Sequence, residues 1–575
     1  MKAAKPELTP ANRRAALEIK TGEWVRMTLA QALDKACARH GDQPLVLSDL
    51  VTLSYDDVGN ASRNLAARLL TLGVKPGDNV GLFLANCPEF VIVKFALARI
   101  GAVAVPINTQ LRRSELNYIL KQADCTMLIS MDQFKGYDCL CDLDALMPGW
   151  EDAGGGKAFP KLHTVLIHRF EGEARTGEKP LIDPAWRPSV KETGALAAVE
   201  AKADPEAICD ILYTSGTTGN PKGAMVTHDM VLRTAYASNY MLAREEGRRI
   251  LFSLPLYHVF GYVECLIASL FVGGAIVPRL TFDPLDMIEA AERFAVGEIV
   301  CVPVMTRQMI DVARQRGFAC PSLVAYFNSG GVNSAEIWQD IRDTFGAREL
   351  LTGYGMTETT ASTCCCLPEG DEKYLVISNG RPKDAGVAGF SRYAGKLNLY
   401  KAVDPVSGRD MPPGEKGELL VIGYGVTKGY YNKPDENARA FTSDGWFRTG
   451  DVGTVDAEGY VRLLGRIKES YRCGGEMVMP EEVEAFLKTH PAIKDVFVVG
   501  VPDNRMGEVG CALIVPSAQM PDISEIQAFC HNKIARFKIP KYALAIAPKD
   551  VPFTATGRTR RVQLAALAQE LLELA

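Results

Sequence analysis

The stretch Ile211-Leu-Tyr-Thr-Ser-Gly-Thr-Thr-Gly-Asn-Pro-Lys-Gly-Ala-Met-Val-Thr227 decides the reading of this chain. An apolar strand runs into a loop crowded with glycines and hydroxyls. Gly216, Gly219 and Gly223 let the backbone approach an anion and expose its N–H groups, while Thr214, Ser215, Thr217 and Thr218 add hydroxyl donors and Lys222 adds a cation. A plain glycine-rich turn between two strands would account for the glycines but not for four hydroxyl residues and a lysine in one run. A Walker A loop is excluded, because Gly219 is followed by Asn220 and Pro221. The loop therefore reads as a triphosphate cradle of another kind.

Upstream of it, short apolar runs alternate with longer amphipathic ones. Val51 to Ser54 reads as a strand, and Ser54 with Asp57 forms a capping box that opens a helix running towards Leu72. Asn79 to Leu84 reads as a strand, Pro88 to Ile100 as a helix and Val103 to Ile107 as a further strand. This βαβαβ alternation predicts parallel sheets covered by helices, so the fold class is α/β. Gly154, Gly155 and Gly156 read as a flexible surface connection, an insertion before the strand Thr164 to His168.

The next α/β unit begins near Ala207. After about Glu418, short strands and turn signals such as Gly423 to Gly429 and Ala457 to Tyr460 predict a smaller β-rich subdomain. Beyond Gly465 comes an α+β pattern, with a helix at Pro480 to Thr489, a strand at Val496 to Val501 and a helix from Ser524.

The 575 residues exceed one ordinary core of about 100 to 200 residues, so at least two domains are expected. With 64 Lys plus Arg against 69 Asp plus Glu, the net charge of -5 offers no electrostatic footprint for nucleic acid. No apolar run approaches the roughly 18 residues of a membrane span. Met1 to Trp24 carries Glu7, Arg13, Arg14 and Glu18 rather than an apolar core, so a cytoplasmic location is expected. The 15 cysteines are scattered, several in apolar runs such as Cys209 and Cys301, which argues against disulfides. Cys364, Cys365 and Cys366 are adjacent and lack the spacing of a tetrahedral zinc site.

At this point the sequence resembles the superfamily of acyl-CoA synthetases, peptide-synthetase adenylation domains and firefly luciferases. The phosphate loop matches the first signature of that family, and Gly353-Tyr-Gly-Met-Thr-Glu358 the second. Gly445-Trp-Phe-Arg-Thr-Gly-Asp451 matches the third, and Gly465-Arg-Ile-Lys468, continuing to Pro480-Glu-Glu-Val-Glu484, the fourth.

The resemblance implies a residue-by-residue division of labour. Tyr354 stacks on adenine, Thr357 bonds the α-phosphate, and Glu358 helps hold Mg²⁺, a role suited to a hard carboxylate oxygen. Asp451 accepts the ribose hydroxyls and Arg466 reaches the same sugar. Asn328-Ser-Gly-Gly-Val332, Gly331 included, and Cys301-Val-Pro-Val-Met305 line the adenine and acyl pockets, and His258 in Leu254-Pro-Leu-Tyr-His258 gates the acyl side. The bland reading of His258 is a histidine satisfied within the fold.

The same resemblance divides the chain into an N-terminal domain, 1–464, and a small mobile domain, 465–575, that swings about Lys468. Gly475 would then border the tunnel for the CoA thiol. It implies a carboxylic acid:CoA ligase of fatty acid metabolism that uses ATP, Mg²⁺ and coenzyme A, with partners limited to small molecules and a homodimer as an open option. A carrier-protein acceptor and a catalytically weakened nucleotide-binding homologue are the alternatives.

One position departs from the pattern. Where the family carries Pro-x-Thr-x-Thr-Gly-Lys, this chain has Pro552-Phe-Thr-Ala-Thr-Gly-Arg558, with Arg560 and Arg561 close behind. Arginine keeps the positive charge, but its planar fork differs from a compact ammonium. Arg558 is expected to retain the electrostatic role in adenylation.

Overall fold

Thr214 and Lys222 face each other across an antiparallel strand pair, Ile208–Thr214 against Lys222–Thr227, so the strands on either side of residues 215–220 are direct neighbours. The computed structural model describes residues 9–214, 221–330, 333–474, 476–554 and 559–574. Ser215, Gly216, Thr217, Thr218, Gly219, Gly331, Gly475 and Arg558, all assigned roles above, lie outside the described residues.

The chain has an α/β fold and forms two compact units, one of residues up to 399 with 423–440, the other of 400–422 with 441–574. The first unit holds two large sheets. One runs in the order Lys222–Thr227, Ile208–Thr214, Val103–Pro106, Asn79–Phe83, Met127–Met131, Thr164–His168, all parallel except for the hairpin edge. The other has seven strands and is parallel from Glu349–Leu351 across to Pro44–Leu47.

Helix Pro88–Ile100 shows why sequence fixes such elements closely. Pro88 occupies the first turn, where its missing N–H costs nothing, and Gly101 closes the helix in the left-handed region at φ 67°. Every residue from Phe90 to Ile100 is buried, as expected of a helix that is apolar nearly all round. The Ser54–Asp57 capping box is formed, with both reciprocal bonds present.

Two expectations need correction. The strand Thr52–Ser54 does not share a sheet with the strands that follow it. It pairs antiparallel with Pro44–Leu47 at the edge of the seven-stranded sheet, because the helix after it, Tyr55–Thr71, carries the chain across to the other one. Nor do the three glycines 154–156 all lie at the surface. Gly154 and Gly155 are buried, and a Cβ on Gly154 would stand 2.6 Å from the His163 backbone. Gly154 and Gly155 permit this close packing, while Gly156 stands exposed.

The second unit contains two sheets. Phe447–Val455 pairs antiparallel with both Gly417–Gly423 and Val461–Arg466. A five-stranded sheet is built round the long pair Ile493–Asp503 and Gly507–Pro516, backed by helices Pro480–Leu487, Ile523–Cys530 and Arg561–Leu574. The β-rich region is thus present, but beyond Gly423, which ends one of its strands, Tyr424–Gly429 is not part of it. Those residues belong to the first unit and lie along the hairpin.

Candidate active site

In the first unit the site grows from the hairpin edge. Gly425–Tyr431 runs beside Lys222–Thr227 like an added strand. Met225 N donates to Gly429 O at 2.9 Å, Lys428 N to Met225 O at 3.0 Å and Tyr431 N to Gly223 O at 2.8 Å. The same segment reaches the second signature, where Thr427 N donates to Glu358 O at 2.7 Å.

Tyr430 is the residue on which this arrangement turns. Its hydroxyl donates to Glu358 Oε1 at 2.8 Å, and the Lys222 ammonium lies 4.2 Å from its ring centroid. One aromatic side chain therefore spaces a cation at the hairpin mouth from a carboxylate that is only 7% exposed. Lys222 also pairs with Glu436 at 3.3 Å. Sequence reasoning missed Tyr430, since it lies outside all four signatures. The available signal was its place directly after the turn glycine Gly429.

The second signature is itself a hairpin, Gly353–Met356 against Ala361–Cys365, with a bulge between Tyr354 and Gly355. Glycine is required at both glycine positions. A Cβ on Gly353 would sit 2.6 Å from Cys364 O, and one on Gly355 would run into Ala361 O. A single 3₁₀ turn, Thr357–Thr359, follows and places half-buried Thr357 beside buried Glu358. The turn is braced by Thr359, whose side-chain oxygen accepts from Met356 N at 3.1 Å. Behind it a buried group of Lys383, Glu264, Ser362 and Ser238 anchors the hairpin, with Lys383 Nζ 2.9 Å from Glu264 Oε1.

The two segments assigned to pocket walls come together. Thr306 Oγ1 donates to Asn328 Oδ1 at 2.9 Å, Asn328 Nδ2 donates to Asn333 Oδ1 at 2.8 Å, and Ser329 Oγ donates to Gly353 O at 2.6 Å. His258 is half-buried, and its Nδ1 accepts from Phe260 N at 3.3 Å. Burial pushes its pKa down to about 4, so the ring is neutral at physiological pH. The triple cysteine run is buried in and just after Ala361–Cys365, and burial raises the Cys365 thiol to about 11 and Cys366 to about 12. These are packing residues.

In the second unit, Asp451 and Arg466 are cross-strand neighbours, and the ion pair measures 2.9 Å. Gly450, at φ 70°, turns the strand just before the carboxylate, and Thr449 Oγ1 accepts from Asp451 N at 3.0 Å. Lys468 lies exposed in the short 3₁₀ turn Ile467–Glu469 that follows Arg466. Arg561, read from sequence as a neighbour of Arg558, is instead buried. It reaches Glu484 at 2.6 Å, Glu481 at 2.9 Å and Glu469 at 3.4 Å, and burial keeps the Glu481 carboxyl above its ordinary pKa despite Arg561.

Residues 33–431 match the family model described as AMP-binding enzyme, and residues 482–558 match its C-terminal domain. The chain belongs to the AMP-binding enzyme family. Among its relatives is the putative acyl-CoA synthetase YngI of Bacillus subtilis, 30% identical over 96% of this chain and 99% of that protein. The mitochondrial medium-chain acyl-CoA ligase ACSF2 of Danio rerio is 30% identical over 95% of this chain and 89% of the relative. The solved structure of the anthranilate CoA ligase AuaEII with anthranoyl-AMP superposes with a TM-score of 0.80 at 24% identity, covering 96% of this chain and 99% of that one. No helix among the described residues is long and apolar enough to cross a membrane.

Proposed function

We infer that the chain is an ATP-dependent carboxylic acid:CoA ligase, an acid-thiol ligase. Acid and ATP give acyl-AMP and pyrophosphate, and acyl-AMP with CoA gives acyl-CoA and AMP. Its relatives by sequence carry acyl-CoA synthetase and ligase names. The observation that carries the reading furthest is the Lys222–Tyr430–Glu358 relay at the mouth of the phosphate hairpin.

The residues divide the work as follows. Lys222 and the loop neutralise charge on the β- and γ-phosphates as pyrophosphate departs, and a fixed cation suits that task because it needs no reorganisation. Thr357 donates to the α-phosphate while Tyr354 flanks the base. Asp451, with Arg466 holding its carboxylate, accepts the ribose hydroxyls. Glu358 fits a magnesium ligand, since it is a buried carboxylate with only Oε1 engaged by Tyr430, and acceptor capacity remains. Mg²⁺ bound there would neutralise phosphate charge. Arg558 supplies the positive charge that stabilises the attacking carboxylate, and residues 465–575 then turn about Lys468 to admit CoA.

The proposed acids are medium- or long-chain aliphatic, alicyclic or simple aromatic, and the proposed location is cytoplasmic. The test is acid-dependent ATP–pyrophosphate exchange across such a panel, followed by CoA-dependent release of AMP. Exchange with acyl-AMP accumulating in the presence of CoA would overturn the CoA acceptor. Absence of exchange with ATP still bound would overturn ligase activity. Arg558→Ala matching wild type would remove Arg558 from the mechanism.

A further inference from the structure

At the carboxyl end of the six-stranded sheet, well apart in sequence from every signature above, three side chains of different chemistry converge. Cys87 immediately precedes the helix Pro88–Ile100, Glu89 lies in its first turn, and His168 ends the strand Thr164–His168. The sheet order brings them together, because Asn79–Phe83 leads into Cys87 and only Met127–Met131 separates it from the strand of His168. Their ligand atoms, a thiol sulfur, a carboxylate oxygen and an imidazole nitrogen, all lie within 4.8 Å of one another. His168 Nε2 is 3.6 Å from Glu89 Oε2.

Tetrahedral zinc with bonds of about 2.0 to 2.3 Å holds neighbouring ligand atoms about 3.4 to 3.7 Å apart, so modest side-chain adjustment closes this set round one ion. Cys87 is 2% exposed, and its thiol interacts with the Glu89 side chain. Glu89 and His168 are half-buried and leave a way in from solvent. The imidazole is fixed by an edge-to-face contact with Phe170, with ring centroids 4.7 Å apart. A thiolate and a carboxylate together balance a divalent charge, which a buried site requires. Among the described residues no other group of three such side chains clusters this closely.

We propose that Cys87, Glu89 and His168 form a three-ligand site for a borderline-soft divalent cation of the zinc class, with its fourth position open to water. The site is also mechanically connected. Asn86, the residue before Cys87, donates to Leu254 O at 3.0 Å and Arg279 O at 3.1 Å and accepts from Leu256 N at 2.7 Å. It thereby holds the loop that carries His258, whose N donates to Pro255 O. Cys87 is thus one residue from the bonds that hold this loop.

The test uses the full chain after chelator treatment, titrated with Co²⁺ alone and then with Zn²⁺ in competition. One equivalent of Co²⁺ with a thiolate-to-cobalt charge-transfer band is expected. Cys87→Ser should abolish the band, and Glu89→Gln and His168→Gln should each weaken binding by about tenfold or more. Cys365→Ser should change nothing. No band in the wild-type chain, or one that survives Cys87→Ser in a variant with unchanged circular dichroism, overturns the site. If Cys87→Ser fails to fold, Glu89→Gln decides the matter: unchanged Co²⁺ affinity there equally overturns it.

Discussion

Asp451 and Arg466 stand opposite each other on adjacent antiparallel strands, and their ion pair at 2.9 Å joins the third and fourth signatures of the chain into one object. Asp451 is only 2% exposed, so its carboxylate is held in place by the fold and by Arg466. Asp451→Asn and Arg466→Ala should each raise KM for ATP at least about tenfold, the loss expected when an orienting partner goes. Removing the arginine should also cost about 1 to 3 kcal/mol of stability by leaving a buried carboxylate short of a donor. KM measurement and urea unfolding check the two effects separately.

Tyr430→Phe removes the hydroxyl that donates to Glu358 but keeps the ring beneath Lys222. The expected outcome is slower pyrophosphate exchange at nearly unchanged ATP affinity, whereas Tyr430→Ala loses both. A hydrogen bond to a charged group is worth about 1.5 to 3 kcal/mol. Equal exchange rates for Tyr430→Phe and wild type would falsify the relay.

Gly355→Ala places a methyl against the Ala361 carbonyl, where backbone rather than a movable side chain must give way. The hairpin that carries Thr357 and Glu358 should shift, with a loss of about 1 to 3 kcal/mol or more. A drop in melting temperature together with lost ATP binding is expected, and an unchanged melting curve would contradict the packing described.

Arg561→Met should unfold the second unit more readily, because it leaves Glu469, Glu481 and Glu484 facing one another without their shared cation. Stripping one partner from a buried ion cluster costs about 3 to 5 kcal/mol. Denaturation of the variant at neutral pH and at pH 5 checks it. The deficit should shrink on acidification, as protonation relieves the carboxylates.

His228 supplies a pH dependence of known sign. It is buried, Leu29 N donates to its Nδ1 at 3.3 Å, and burial, aided by Lys94, depresses its pKa from 6.5 to about 3. The unfolded chain therefore binds the proton first. Stability is intact above pH 6.5 and falls as pH drops from there towards 3. His228→Gln should flatten that part of a stability-against-pH curve.

How much was legible in sequence follows from how local each signal is. Helix Pro88–Ile100 could be bounded to the residue because a proline and a left-handed glycine mark its ends. The four signatures located the hairpins, the Glu358 turn and the Asp451–Arg466 pair. The burial of Gly154 and Gly155 was not legible, since it depends on Phe159, Leu162 and His163 folding back over them. Nor was the role of Tyr430 or the commitment of Arg561, because both are set by partners dozens to hundreds of residues away. Sheet membership of Thr52–Ser54 failed for the same reason: alternation fixes a strand's existence, while its neighbours are chosen by tertiary packing.

The pairing of Gly425–Tyr431 with Lys222–Thr227 has a consequence for biosynthesis. An open strand rim invites pairing with other chains, and here the rim is closed by a segment made about two hundred residues later. While the ribosome is still translating that interval, the phosphate hairpin has emerged but its outer edge is bare. Until Tyr431 has cleared the exit tunnel, that edge stays open to pairing with another chain.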